Sequence, residues 1–231
     1  MGSEGASKLD MTSKERAGRH AARYVEAGMR VGLGTGSTVH WTVVELGVRA
    51  LGITCVATSL RTEELARSVG LTLVSPDQAG HLDIAIDGAD EVDPSGNVTK
   101  GGGGALTREK IVAEMAPRFV IVVDETKLVP ALGPFGTPLE VLDFAPGVVA
   151  ARVEALGARK VTRRAERSDN GNLVLDAQFG TIADPAALAA ELAVIPGLVE
   201  HGLFLASTVE RVVVAGADDV RDLRVGAEPI R

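Results

Sequence analysis

The run Lys100-Gly-Gly-Gly-Gly-Ala-Leu-Thr-Arg-Glu109-Lys110 sets an ammonium group, a stretch of backbone without Cβ atoms and a carboxylate side by side. Backbone of this kind lets a ligand approach its N–H groups closely. The residues that follow, about Ala105–Met115, read as a helix, so the glycines lead into a positive helix end where an anion can sit. A carboxylate base, a cation and a set of amide donors are the parts needed to remove a proton beside a carbonyl and hold the resulting enolate.

Three further segments offer complementary groups. Asp87-Gly-Ala-Asp90-Glu91-Val-Asp93 follows directly on the apolar stretch Leu82–Ile86. Like charges this close raise at least one pKa, which suits acid/base work. The spacing does not match a calcium loop, and no His or Cys lies nearby. Its tail, Asp93-Pro-Ser-Gly96, reads as an acidic turn capping the next element. Gly32-Leu-Gly34-Thr35-Gly36-Ser37-Thr38 supplies amides and hydroxyls suited to a phosphate. Its G-x-G-x-G spacing departs from the dinucleotide fingerprint, and Ile53–Ser59 offers no acidic residue for a ribose diol. A small phosphate ester therefore fits better than a nucleotide. Lys127, in Val123-Asp124-Glu-Thr-Lys127, is a fourth piece and a candidate phosphate contact. His20, His40, His81 and His201 have no metal-ligand spacing.

Distant segments like these need a frame that gathers them. Thr12-x-x-Glu15 reads as a capping box opening a helix to about Ala27. Strands are expected at Met29–Leu33, Ile53–Ala57, Leu71–Val74, Leu82–Ile86 and Phe119–Val123, with helices at Thr38–Leu51 and Arg61–Val69. Strands alternating with helices predict a parallel sheet covered on both faces, with ligands at the carboxyl ends of its strands. After about Ala131 the pattern changes. Leu139–Phe144, a helix at Pro146–Leu156, a hairpin of Ala158–Arg163 and Asn172–Ala177 around Ser168-Asp-Asn-Gly171, a helix at Pro185–Val194 capped by Asp184, and a strand at Leu198–Leu205 give β-α-β-β-α-β, the order of a ferredoxin-like module. Val209–Ala215 is a further apolar strand, expected to return to the first sheet.

Composition limits the partners. The 231 residues carry a net charge of −7, against a nucleic-acid partner, which needs a basic face. No apolar stretch approaches the roughly 18 residues of a membrane-spanning helix. The single Cys55 excludes an intrachain disulfide and fits a reducing compartment, hence a cytoplasmic location. The segment MGSEGASKLD lacks the apolar region of a secretory signal and reads as a frayed lead-in. Aromatic residues are only 3%, so the core must be built from Val, Leu, Ile and Ala.

Taken together, GLGTGST at 32–38, Thr58-Ser-Leu-Arg-Thr-Glu-Glu-Leu-Ala66, Asp87-Gly-Ala-Asp-Glu91, Lys100–Lys110 and Asp124-Glu-Thr-Lys127 resemble, in order and spacing, the type A ribose-5-phosphate isomerase family. The resemblance continues through Asp169-Asn-Gly-Asn172, Asp184-Pro185 and Ile195–Phe204. It implies an α/β fold: a Rossmann-like parallel-sheet domain, residues 12–131 plus 206–231, with a smaller ferredoxin-like α+β domain, residues 132–205. It also implies interconversion of ribose 5-phosphate and ribulose 5-phosphate through an enediolate, without metal or organic cofactor, in the non-oxidative pentose phosphate pathway. By the same resemblance Glu109 is the catalytic base, and Asp87, Asp90 and Lys100 line the reacting end. Thr35, Gly36, Ser37, Thr38, Gly88, Ala89, Gly101, Gly102, Gly103 and Lys127 surround the sugar phosphate, with a weaker match at Lys14. The separate roles of Asp87 and Asp90 stay open. A homodimer or a dimer of dimers is implied as well. One departure is Gly133-Pro-Phe-Gly-Thr-Pro138, where the family often carries a basic residue and a second proline. The alternatives of other classes are a sugar-phosphate sensor without chemistry and a nicotinamide dehydrogenase. The complete acid/base set counts against the first, the glycine spacing against the second.

Overall fold

In the computed structural model, which describes residues 11–231, α1 (Ser13–Ala21) opens where the Thr12 hydroxyl accepts the Glu15 amide at 3.2 Å. The reading of Met1–Asp10 as a lead-in lies outside the described residues. Only half of the expected capping box forms, because the Glu15 carboxylate pairs instead with Arg19 at 2.9 Å. The helix also stops short of Ala27. It tightens into a 3₁₀ turn at Ala22–Tyr24, and the fully buried Val25 turns extended. Arg49 then donates to the carbonyls of Ala22 and Val25.

The chain next runs β1 (Arg30–Leu33), α2 (Val39–Arg49), β2 (Thr54–Ala57), α3 (Leu60–Ser68), β3 (Thr72–Leu73), α4 (Pro76–Ala79) and β4 (Ile84–Asp87). A hairpin of β5 (Glu91–Val92) and β6 (Val98–Thr99) precedes α5 (Leu106–Glu114) and β7 (Phe119–Asp124). The sequence reading missed this hairpin, taking Asp93–Gly96 only for an acidic turn capping the next element. The Asp93 carboxylate instead closes the hairpin, accepting the amides of Ser95 and Asn97 at 2.9 Å each. The second half holds β8 (Thr137–Val141), α6 (Pro146–Ala155), β9 (Lys160–Arg167), β10 (Leu173–Gln178), α7 (Pro185–Ala193), β11 (Leu198–His201) and β12 (Leu203–Phe204). Finally β13 (Arg211–Ala215) and β14 (Val220–Arg224) close the chain.

Seven strands form one sheet in the order β14-β13-β7-β4-β1-β2-β3. All its pairings are parallel except β13 with β14, so the strand starting at Arg211 does return to the first sheet. From β1 the chain winds outward to β2 and β3, then crosses back to β4 on the other side of β1. That reversal is the topological switch point, where the loops leaving two neighbouring strands diverge and leave a crevice. Both faces are covered: every residue of β4 and β7 is buried, which is why these strands are apolar without alternation. Cys55, in β2, is fully buried, and its thiol is pushed up to about 12 by that burial.

A second sheet, β11-β8-β10-β9, is antiparallel, with the β-α-β-β-α-β chain order expected. Its apolar core, including Leu139, Val153, Leu175 and Leu192, is separate from the clusters around the seven-stranded sheet. The expected single strand Leu198–Leu205 is two. Its first half pairs with β8, and its second pairs with β6 in a three-stranded sheet, β12-β6-β5. The break falls at Gly202, where a Cβ atom would stand 2.2 Å from the carbonyl oxygen of Lys100. Gly202 donates to Pro138 at 2.7 Å and accepts the Lys100 amide at 2.8 Å, so one residue ties the two sheets and fixes where Lys100 begins.

Candidate active site

The crevice at the switch point is furnished by the loops after β1 and β4. The β1 loop, Gly34–Thr38, turns into α2; the β4 loop, Gly88–Asp90, turns into the hairpin. Asp87 joins them, because one carboxylate oxygen accepts the Thr35 amide at 3.0 Å and the Gly88 amide at 2.7 Å. Gly34 makes room for it: a Cβ there would lie 2.0 Å from that oxygen. Thr35 turns its hydroxyl away into a buried cluster with Thr58, Ser59 and Thr62, at 2.8, 2.8 and 3.2 Å. The side chain expected to hold phosphate thus shapes the turn, and the amides of Gly36, Ser37 and Thr38 donate to no acceptor among the described residues.

Lys100 enters from the end of the hairpin, only 2% exposed. Its ammonium lies 3.0 Å from Asp87 Oδ2 and 3.4 Å from Glu109 Oε2, and donates to the Gly88 carbonyl at 2.5 Å. Burial alone would lower its pKa, but Asp87 and Glu109 together hold it above the ordinary lysine value. Burial pushes Glu109 up to about 8, against the pull of Lys100 and with the repulsion of Asp87 and Asp90. Asp87 is raised too, by burial first, with Lys100 and the two amides opposing. One ammonium cannot fully neutralise two buried carboxylates, so the pair holds a proton near neutrality. Asp87 has the closer cation and both amides, which places that proton on Glu109.

The neighbours of Glu109 on α5 all anchor the helix. Thr107 donates to Glu140, Arg108 to Asn170 and the Asp169 carbonyl, and Lys110 to Glu200 and the His201 carbonyl at 2.6 Å each. Glu140 is fully buried on β8 yet collects donors from Thr107, Ser168, Asn170 and Asn172. These bonds outweigh its burial and hold its pKa below the ordinary glutamate value. Glu91, within the acidic motif, is structural: it accepts the amides of Gly133 and Phe135 at 2.9 and 2.7 Å and pins the departing 133–136 turn.

The glycine loop closes the cavity. Asp90 accepts the Gly102 amide at 2.7 Å, and Gly101 and Gly104 take positive φ angles of 102° and 76°. The amides of Gly101 and Gly103 donate to no acceptor among the described residues. Every site residue expected from the sequence lines one cavity of about 140 Å³, save Asp87, which lies just beneath it. That set is Thr35, Gly36, Ser37, Thr38, Gly88, Ala89, Asp90, Lys100, Gly101, Gly102, Gly103, Glu109 and Lys127, with Lys14 beside them. Arg61 also lines it and was missed. A signal existed: it is a basic residue in the first turn of a helix that starts at a strand's carboxyl end. Chemically the cavity offers a carboxyl able to exchange a proton near pH 8, a fixed ammonium, unspent amides, and Lys14, Arg61 and Lys127 for an anion.

Comparison with known proteins agrees with this geometry. The family description ribose 5-phosphate isomerase A (phosphoriboisomerase A) matches residues 54–219. A ribose-5-phosphate isomerase A from Thermomicrobium roseum is 49% identical over 219 residues, covering 90% of this chain and 92% of that protein. A solved ribose 5-phosphate isomerase A from Methanocaldococcus jannaschii is 38% identical, with a TM-score of 0.86, covering 92% of this chain and 98% of that one. A solved D-ribose-5-phosphate isomerase in complex with phospho-erythronic acid is 35% identical, with a TM-score of 0.88 over 92% of this chain and 97% of that one. With two buried carboxylates on one ammonium at the switch point, and relatives of this closeness along nearly its whole length, the chain belongs to the ribose 5-phosphate isomerase A family.

Proposed function

We propose that the protein interconverts D-ribose 5-phosphate and D-ribulose 5-phosphate through an enediolate, in the non-oxidative pentose phosphate pathway. The observation that carries this reading is Lys100 wedged between Asp87 and Glu109 at the floor of a cavity rimmed by unspent amides. Glu109, once ionised, takes the proton from C2 of the open-chain aldose and returns it to C1. Lys100 and the loop amides stabilise the charge that develops on oxygen. Asp87 and Asp90 serve the sugar oxygens, and Asp90 also holds the glycine loop. Gly36, Ser37 and Thr38, with Lys127, Lys14 and Arg61, take the phosphate. Held far from the reacting carbons, the phosphate contributes binding energy that orients them. A phosphorylated sugar acid such as the one named with the 35% identical relative carries anionic groups that match both ends of this cavity.

The same reading divides the chain into domains at residues 12–131 plus 206–231 and 132–205, supported by the separate apolar cores. It takes the protein to be cytoplasmic; among the described residues no helix is long and apolar enough to cross a membrane. It also takes the protein to be a homodimer, with Phe144 and Val148, 96% and 58% exposed on the smaller domain, available for the contact. Mixing the protein with ribose 5-phosphate and following ketose formation tests the function. Binding without ketose would leave a sensor, and a requirement for added nucleotide would point to a dehydrogenase. Sedimentation gives the oligomeric state.

A further inference from the structure

Arg164 stands on β9, 62 residues along the chain from the Gly102 carbonyl it reaches. We propose that Arg164 is a positioning residue for the isomerase reaction, aiming the Gly103 amide into the cavity by gripping the carbonyl of Gly102. The proposal rests on the isomerase reading. Arg164 Nη1 donates to the carbonyl oxygens of Gly101 and Gly102 at 2.8 and 3.1 Å. Its Nε and Nη2 donate to the two oxygens of Asp176 at 2.8 and 2.6 Å. A bidentate pair of this kind fixes the plane of the guanidinium as well as its place. The side chain is 18% exposed; its bond to the Gly101 carbonyl is half-buried and its bond to the Gly102 carbonyl faces solvent.

The consequence follows from peptide geometry. In a planar trans peptide the C=O and N–H point in opposite directions. A guanidinium holding Gly102 O from the β9 side therefore turns the Gly103 N–H the other way. Gly103 lines the cavity, and its amide has no acceptor among the described residues. The preceding peptide is held at both ends, its oxygen on Arg164 and its N–H on Asp90. The Gly104 amide closes the turn on the Gly101 carbonyl at 3.0 Å, but the central Gly102–Gly103 peptide has no backbone partner among the described residues and, between glycines, is free to flip, so its carbonyl is held from outside the loop, by Arg164. A cation on the carbonyl oxygen also polarises the N–H it opposes. Donors fixed before charge develops are the ones that lower a barrier.

The test compares Arg164→Ala, Arg164→Lys and Asp176→Asn with the unmodified protein, each assayed for ketose formation from ribose 5-phosphate. A well-placed oxyanion donor is worth about 10²–10³ in kcat, so loosening one should lower kcat roughly 10-fold or more in Arg164→Ala. KM should move less than about threefold, because the phosphate contacts are untouched. Arg164→Lys should recover part of the loss, and Asp176→Asn should fall in the same direction by less. Guanidinium ion at millimolar concentration should restore part of the turnover of Arg164→Ala, which a purely structural role would not give. The pH profile should keep its midpoint in all variants, since the Asp87–Lys100–Glu109 triad is unchanged. An unaltered kcat in Arg164→Ala overturns the assignment, as does a loss that only follows a lower Tm and ignores guanidinium. If the unmodified protein forms no ketose, the isomerase reading itself falls, and this proposal with it.

Discussion

In the base role proposed for it, Glu109 sits where two requirements conflict. A base must be ionised to work, yet burial beside Asp87 holds its proton to about pH 8. The expected result is a kcat/KM that rises with pH and levels off above about 8, read from initial rates across a buffer series. Glu109→Gln should bind sugar phosphate and lose about 10²–10⁴-fold in kcat, the worth of positioned proton transfer. Near-normal turnover in that variant removes Glu109 from the base role. The raised pKa also carries a sign for stability. A carboxyl that binds its proton more tightly when folded gives up stability as pH climbs from its unfolded value to its folded one. Thermal melts should therefore show the Tm of Glu109→Gln gaining on the unmodified protein between pH 5 and 9. Lys127, on the rim, should act differently: Lys127→Ala should raise KM and spare kcat. A collapsed kcat at unchanged KM would place Lys127 in the chemistry.

Single backbone positions decide how the elements meet. Gly202 divides what would be one strand into β11 and β12 and lets the Lys100 carbonyl approach. Gly202→Ala should cost roughly 1–3 kcal/mol in urea unfolding, the ordinary scale of overpacking, and should lower activity by displacing Lys100. Ala50 ends α2 in the left-handed region, with φ of 49°. That conformation costs a residue with a Cβ about 1–2 kcal/mol, so Ala50→Gly should raise Tm with activity unchanged. These details explain which elements were legible in the sequence. The parallel strands announced themselves as short apolar runs, bounded by polar or glycine-rich turns or by Asp87 and Asp124. The β5–β6 hairpin did not, because its two-residue strands, Glu91-Val92 and Val98-Thr99, are half polar and form no apolar run. Leu198–Leu205 read as continuous because its apolar residues run past Gly202, although a glycine inside a strand was itself the warning.

At the scale of the molecule, the smaller sheet is what steadies the chemistry of the larger one. Glu140 from β8 gathers Thr107 of α5 and the 168–172 turn around one buried carboxylate. Glu140→Ala should strand several buried donors and cost roughly 2–4 kcal/mol of stability by denaturant unfolding. Its lowered pKa gives stability that is present above the ordinary glutamate value and lost as pH falls through the folded one, so the protein should weaken first in acid on this account. None of this could be read from the chain. The motifs around Asp87, Lys100 and Glu109 each lie within one loop, so their chemistry showed locally. Glu140 and Arg164 acquire meaning only once two modules meet, and nothing near them in sequence marks it.

Cys55 adds a practical corollary. A lone thiol sealed within the apolar core, and too weakly acidic to react while sealed, is a ready-made clock. A maleimide dye mixed with the native enzyme should stay colourless against it until the central sheet parts, and each labelled molecule would record one such opening.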